Sequence, residues 1–417
     1  MTPTELAQRA ACAEPAPDAP LPPRQISIWE ITSWILPMAP EHLRRVLAAD
    51  PTLPQGSAGA EGGTRWFSQA DLTPLRSHFA QGPRKARYLP PRPATAKAPL
   101  IALTGPLGAM GRSTALLHLA TAAALSGYRI LVIDGDPAGT LGHALPGPVE
   151  DRPTAQGVLS LIARSAARHL RRLNEARLDR GEAPQPMDEV LNAALTLTTA
   201  DLIRPSRWPG LDVLPAAPAL LQADLQIAAW QQASRSWHPG RALAQALDED
   251  GTGQRYDLIL CDTPRGLGPL ALSLLTSAEV LLAPLPLRDH GLTRMATGLQ
   301  ALADATGQID AQARQTARAL GQATQPGQTW QRLWVLPNRA GPDAARLLAG
   351  FAAKLGDAML PTALPEIAAV AEARVAQFYD LDYRSLGRLA YAPQREACDA
   401  AWRGVAEALA ALWAETT

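Results

Sequence analysis

From Leu100 onward the chain alternates short apolar runs with longer stretches of helical spacing. LIALT (100–104) predicts a buried strand. A glycine-rich turn follows, and STALLHLATAAALSG predicts a helix that ends at Gly127. RILVIDGD, GLDVLPA, YDLILCDTP, EVLLAPLPL and RLWVLPN predict further strands, each followed by turn residues. These runs lack the polar alternation of a half-exposed sheet. Apolar strands alternating with helices predict an α/β fold, a parallel sheet with helices on both faces. Ligands of such sheets bind beyond the carboxyl ends of the strands.

The pattern before Leu100 is different. Residues 1–23 are rich in Ala and Pro and are expected to be a disordered lead-in. Residues 24–81 predict a small, mainly helical domain. In it ISIWEITSWIL forms a short helix, a second helix starts at Pro40 and runs through EHLRRVLAAD, TRWFS forms a strand, and QADLTPLRSHF closes the unit. Residues 82–99 carry too many prolines for regular structure and are expected to be a linker, with residues 100–417 forming the α/β domain. The segment 164–184, RSAARHLRRLNEARLDRGEAP, predicts a basic helix with no obvious place in the sheet. It is expected to present either a solvated face or a contact to phosphates or a partner.

Composition narrows the function classes. Thirty-nine basic side chains balance thirty-nine acidic ones, which excludes a wholesale polybasic nucleic-acid binder but not a local basic patch. Cys12, Cys261 and Cys398 lie far apart without a CxxC pair, so neither a disulfide framework nor a zinc knuckle is indicated. No apolar run approaches the roughly 20 residues of a membrane span, and MTPTELAQRAACAEPAPDAP has no secretory pattern. The expectation is a cytoplasmic protein with no membrane partner. The basic side chains are almost all arginine, since the only lysines are Lys85, Lys97 and Lys354.

The candidate chemistry lies in the turn after the first strand, Thr104-Gly-Pro-Leu-Gly-Ala-Met-Gly-Arg-Ser-Thr114. A glycine-rich turn between strand and helix lets backbone N–H groups approach phosphate oxygens, and the helix N-terminus adds a favourable dipole. Ser113, just inside the helix, stands where a magnesium ligand would sit. VIDGDP brings Asp134 and Asp136 to the end of the second strand, and LCDTPRGLG brings Asp262 to the end of the fourth.

Together, LGAMGRST, ILVIDGDPAG and YDLILCDTPRGLG resemble the ParA/MinD family of deviant Walker ATPases, within it the plasmid-partition ParA proteins, including the RepA subgroup of RepABC plasmids. GLDVLPAAPALLQADLQ, EVLLAPLPL and VLPNRAG belong to the same resemblance, which runs from about Pro99 to Leu409. It implies a P-loop NTPase-like fold that binds ATP and Mg2+. The pattern KGGxGK[ST]T falls on Leu107–Thr114, so Gly108, Ala109, Met110, Gly111, Arg112, Ser113 and Thr114 would cradle the phosphates. The resemblance makes Asp136 the residue that orients the attacking water. Asp134 and Asp262, with Ser113, become the magnesium residues, and Asn338 the base-recognition residue. It also implies a homodimer formed on nucleotide binding, DNA and a ParB-like centromere-binding protein as partners, and association with the nucleoid.

The departures from the pattern matter as much. The signature lysine that reaches the partner's phosphates is Leu107, which carries no charge, and the main phosphate lysine is Arg112. Arginine keeps the charge but presents a wide planar fork that fits a tight phosphate nest poorly. With no lysine between Lys97 and Lys354, a substitute must be an arginine such as Arg265 or Arg339. Two readings follow. One is a ParA-like partition protein with weak or absent ATP hydrolysis; the other is a pseudo-ATPase acting as a DNA-binding repressor or adaptor through its N-terminal domain.

RWFSQADLTPLR followed by RKARYLPPR resembles the winged helix-turn-helix segment that precedes the ATPase in larger partition ParAs. DNA contact is expected at Arg44 and Arg45 on the second helix, at Arg65 in the wing strand, and at Arg384, Arg388 and Arg395 in the C-terminal helical region. Arg374 and Arg403 recur in that region. His118 is expected to be packed, Cys261 to fill the core, and Trp402 and Trp413 to pack the last helix against the sheet.

Overall fold

The computed structural model describes residues 24–58, 65–82, 87–90, 97–105, 107–108, 110–147, 157–288, 290–319, 329–341 and 344–416. The lead-in expected over 1–23 and the site residue Ala109 lie outside them. The chain divides by its contacts into two compact units, the first ending at Leu72 and the second beginning at Thr73, whereas the prolines place the boundary at 82.

The first unit holds a three-stranded sheet in the order β1–β3–β2, formed by β1 (Ile26–Ser27), β2 (Ser57–Ala58) and β3 (Arg65–Phe67), all antiparallel. The helix expected over ISIWEITSWIL starts two residues late. Ile26 and Ser27 pair with Phe67 and Trp66 as strand. Ser27 is a cap: its hydroxyl accepts the Glu30 N–H at 3.2 Å, and Glu30 Oε2 accepts the Ser27 N–H at 3.0 Å. This reciprocal box starts a helical turn at Ile28–Glu30, which widens into a π-turn over Ile31–Ile35. Helix α1 (Pro40–Ala49) begins with proline at its first turn and buries Leu43 and Leu47. Helix α2 (Leu72–Ala80), which follows β3 in the chain, belongs from Thr73 onward to the second unit.

The second unit is a seven-stranded, mostly parallel sheet with helices. Its strands are β4 (Leu100–Leu103), β5 (Ile130–Asp134), β6 (Arg204–Pro205), β7 (Leu211–Leu214), β8 (Leu258–Asp262), β9 (Val280–Pro286) and β10 (Arg332–Asn338). They lie in the order β10–β9–β4–β8–β5–β7–β6, and only the two-residue edge strand β6 runs antiparallel. Alternation explains the two covered faces. Leu100, Ala102, Leu131, Ile133, Ile259 and Cys261 join one buried cluster. That cluster includes residues of α5 (Val158–Asp179), α6 (Ala223–Ala233), α7 (Ala242–Glu249) and α8 (Pro269–Ser277). On the opposite face Ile101, Leu103, Ile130 and Val132 are buried beneath α3 (Arg112–Leu125). Helix α4 (Thr140–Ala144) follows β5, and helix α9 (Gly291–Ala319) follows β9.

The basic segment covers most of α5 and the turn after it; Arg171, Arg172 and Arg180 are exposed, in keeping with a solvated face, whereas its first residue is not. Arg164 is 1% exposed. It binds Asp250 at 2.9 and 3.1 Å and donates to the carbonyls of Ala246 and Leu197. The last helix, α11 (Arg388–Thr416), follows α10 (Ala344–Leu355) and packs on helix α3, just past which Trp402 meets Tyr128 edge to face at 5.2 Å, while its Glu415 pairs with Arg332 of β10 in the sheet. Among the described residues no helix is long and apolar enough to cross a membrane.

Candidate nucleotide site

Strand register assembles the site. Leu103 of β4 lies opposite Asp262 of β8, and Asp262 lies opposite Asp134 of β5, so the two carboxylates end neighbouring strands in one row. The turn after Leu103 crosses the tips of these strands and enters α3. Gly111 caps that helix in the left-handed region (φ +73°), which favours glycine. The structure brings two of the expected site residues together: Ser113 Oγ donates to Asp262 Oδ2 at 2.5 Å across 149 residues of sequence.

Asp262 is fully buried, and its Oδ1 accepts no hydrogen bond among the described residues. Burial pushes its carboxyl up to about 6, opposed by the Ser113 bond and the Arg112 charge. A buried carboxylate oxygen without a donor, beside a serine hydroxyl, is an oxygen-only pair of the kind Mg2+ takes alongside substrate phosphates. The residues present therefore fit that ion, with Ser113 and Asp262 as its holders.

Asp134 serves the backbone. Its oxygens accept N–H groups of Asp136 at 3.3 Å, Leu141 at 2.9 Å and Gly142 at 3.1 Å, the last two at the start of α4. Burial raises its carboxyl all the same. Asp136 accepts the Ala138 N–H at 3.0 Å and stands 3.7 Å from Arg112 Nη2.

Arg112 is the largest departure. Its side chain turns back under the loop and is buried. Nη1 donates to the carbonyls of Gly105 at 2.7 Å and Pro264 at 3.2 Å, and Nε lies 4.0 Å from Asp262 Oδ1. Burial lowers the guanidinium's proton affinity; Asp262 and Asp136 raise it, and Arg265 lowers it again. The cation is thus held by carbonyls and carboxylates at the floor of the site.

Asn338 closes the other side. Its Nδ2 donates to Met110 O at 3.1 Å and its Oδ1 accepts the Arg339 N–H at 2.8 Å, so both ends of the amide are committed within the protein. It braces the loop here. Met110 is likewise an anchor, buried with Ala283, Leu285, Met295 and Val335. Thr114 is exposed at the loop's end, and its carbonyl bonds His118 Nδ1 at 2.8 Å.

One neighbour escaped the sequence reading. Arg294, in the first turn of α9, donates from Nη2 to Gly108 O at 2.8 Å. With Leu107 it lines a small cleft floored by Met110, Met295 and Leu299. No motif marks this arginine; only the packing of α9 beside the loop brings it there.

The expected DNA contacts divide. Arg44, Arg45 and Arg65 are exposed, with Arg44 3.3 Å from Glu41 and Arg65 bonded to Gln55. Arg384 and Arg388 are exposed as well, the first paired with Asp382 and the second over the Tyr383 ring. Arg395 does not face solvent. It is 3% exposed, bonds Asp399 Oδ2 at 2.8 Å and stacks over Tyr379 at 4.9 Å, so it belongs to the core.

A family model described as an AAA domain matches residues 98–318. A protein named replication protein A in Sinorhizobium fredii is 27% identical over 270 residues, which is 62% of this chain and 56% of that protein. The chromosome partitioning protein ParA of Caulobacter vibrioides is 29% identical over 187 residues, 45% of this chain and 55% of that protein. The chain thus spans little more than half the length of these curated relatives. A solved structure of a partition protein superposes with a TM-score of 0.52 at 17% identity, covering 90% of this chain and 94% of that one, a likeness of fold.

Proposed function

The chain belongs to the AAA domain family, as a P-loop ATPase of the ParA/MinD type, and on that premise we propose that it is a partition protein working as a slow nucleotide switch. In this reading it binds ATP with magnesium, pairs into a homodimer around the nucleotide and holds DNA. The observation that carries the reading is Asp262, buried at a strand end with one oxygen on Ser113 and the other without a hydrogen bond.

The chain's own groups have assignable tasks. Backbone N–H groups at the start of α3 receive the phosphates. Ser113 and Asp262 would hold a magnesium ion, which would supply charge neutralisation for the phosphates. Asp136 orients the attacking water. Arg112, however, commits its donors to Gly105 and Pro264, and Leu107 offers no charge at all. Removing one positioned cation costs phosphoryl transfer about 10³–10⁵ in rate where it has been tested. Slow turnover, or none, follows.

The first unit, with helix α1 before a β2–β3 hairpin, supports a winged helix-turn-helix role for residues 24–81, with Arg44, Arg45 and Arg65 toward DNA. Arg384 and Arg388 form the second DNA surface, and a ParB-like protein is the adaptor. Size-exclusion chromatography with and without ATP–Mg2+ tests the core of this reading, and a shift from monomer to dimer with ATP is expected. The Leu107→Lys, Arg112→Lys double variant should hydrolyse ATP faster than the natural chain. No gain in binding or turnover in that variant would favour the repressor or adaptor reading instead.

A further inference from the structure

Gly108 is bracketed by two guanidinium groups. Arg294 reaches it from α9 and donates one N–H to its carbonyl at 2.8 Å. Arg265 reaches it from the turn after β8: a Cβ placed on Gly108 would lie 3.7–3.8 Å from Arg265 Cδ, Nε and Nη1. Both side chains are exposed. Among the described residues neither is paired with a carboxylate, and Arg265 makes no hydrogen bond. Arginine has five N–H donors, so this lip of the loop holds two cations with most of their donors unused.

Their surroundings make the surplus specific. Arg112 is already offset by Asp136 and Asp262 on the floor of the site, whereas Arg265 and Arg294 are not. Leu107, where the family resemblance puts a phosphate-directed lysine, sits in the same cleft as Arg294 and is apolar. Like charges gathered without counter-ions beside a loop of phosphate-binding form are destabilising until an anion arrives. Gly108 precedes the helix start at Gly111–Arg112, so the two cations stand just ahead of the N-terminus of α3.

We propose that Arg265 and Arg294 form a two-arginine clamp over Gly108 that takes the terminal phosphate of a bound nucleoside triphosphate, replacing the cation missing at Leu107. Planar guanidinium forks bind phosphate oxygens in pairs, which suits an open lip better than the tight nest at Arg112. The clamp rests on the nucleotide reading given above and adds to it a preference for triphosphate over diphosphate supplied within one chain.

The test is equilibrium binding of ATP and ADP to the full chain, compared with Arg265→Gln, Arg294→Gln and the double variant. Both sites are exposed, so folding is not at issue; a thermal melt checks this. Each single change should weaken ATP about tenfold, as removal of a charged hydrogen bond does, and leave ADP within about twofold. Equal weakening for both nucleotides, or none, would overturn the clamp while leaving the nucleotide site in place. A natural chain that binds neither nucleotide would overturn both the clamp and the reading beneath it.

Discussion

The Asn338 amide lies so close to Gly111 that a Cβ there would meet its Nδ2 at 2.6 Å. The same Nδ2 holds Met110 O, so this one contact ties the carboxyl end of β10 to the loop at the tip of β4. Gly111 is therefore required twice, by its φ of +73° and by its lack of a side chain. Gly111→Ala should cost about 1–2 kcal/mol from the left-handed backbone alone. The displaced amide should also loosen the loop. A lowered melting temperature together with weaker nucleotide binding is the expected pair of results; Gly251→Ala, at a similar φ but with nothing within 4 Å, serves as the control that moves only the first.

His118 predicts an acid-sensitive fold. Its Nδ1 bonds Thr114 O at 2.8 Å while Nε2 accepts the Phe378 N–H at 3.1 Å, an arrangement that only the neutral ring satisfies. Burial lowers its pKa from the ordinary 6.5. The unfolded chain therefore binds a proton that the folded one refuses, and stability present above about pH 6.5 is lost as pH falls below it. Melting curves from pH 8 to 5 should fall more steeply for the natural chain than for His118→Gln.

Buried Arg164 pairs with the partly exposed Asp250 across 86 residues of the chain. Asp250 also takes the N–H and hydroxyl of Thr199. Arg164→Ala leaves that carboxylate without its cation and should destabilise by about 1–3 kcal/mol in denaturant unfolding. Arg172→Ala, farther along the same helix and more exposed, should change stability by less than about 0.5 kcal/mol.

The arginines proposed for DNA should separate by salt titration. Removing Arg44, Arg45, Arg384 or Arg388 singly should shallow the log–log salt slope of DNA affinity by about one unit for each phosphate left without its cation. Arg395→Ala should instead lower the melting temperature, because it removes a buried guanidinium from Asp399 and from the Tyr379 ring. A DNA affinity insensitive to salt would remove the electrostatic basis for this surface.

Much of this molecule can be read along the chain. Short, largely apolar runs mark β4, β5, β7, β8, β9 and β10, because a strand covered on both faces buries most of its side chains. Asp134, Asp262 and the loop at Gly108–Ser113 are legible together, since the carboxyl ends of parallel strands share one edge of the sheet. The two-residue strands β1 and β6 are too short to leave a pattern.

What the order of residues could not determine is the assignment of its many arginines. Arg164 has ordinary neighbours in sequence, yet it is buried, because Asp250 meets it from 86 residues away; Arg395 is buried with Asp399 one turn along its own helix and against the Tyr379 ring, and Arg112, which the loop pattern does mark, is turned onto carbonyls and carboxylates. Arg294 carries no signature and still reaches the phosphate loop. A charged side chain takes its role from the partners that folding brings within a few ångströms, and those partners are set by how the helices pack. Local pattern decided the sheet and the row of acids at its edge; tertiary structure alone decided which cations face them.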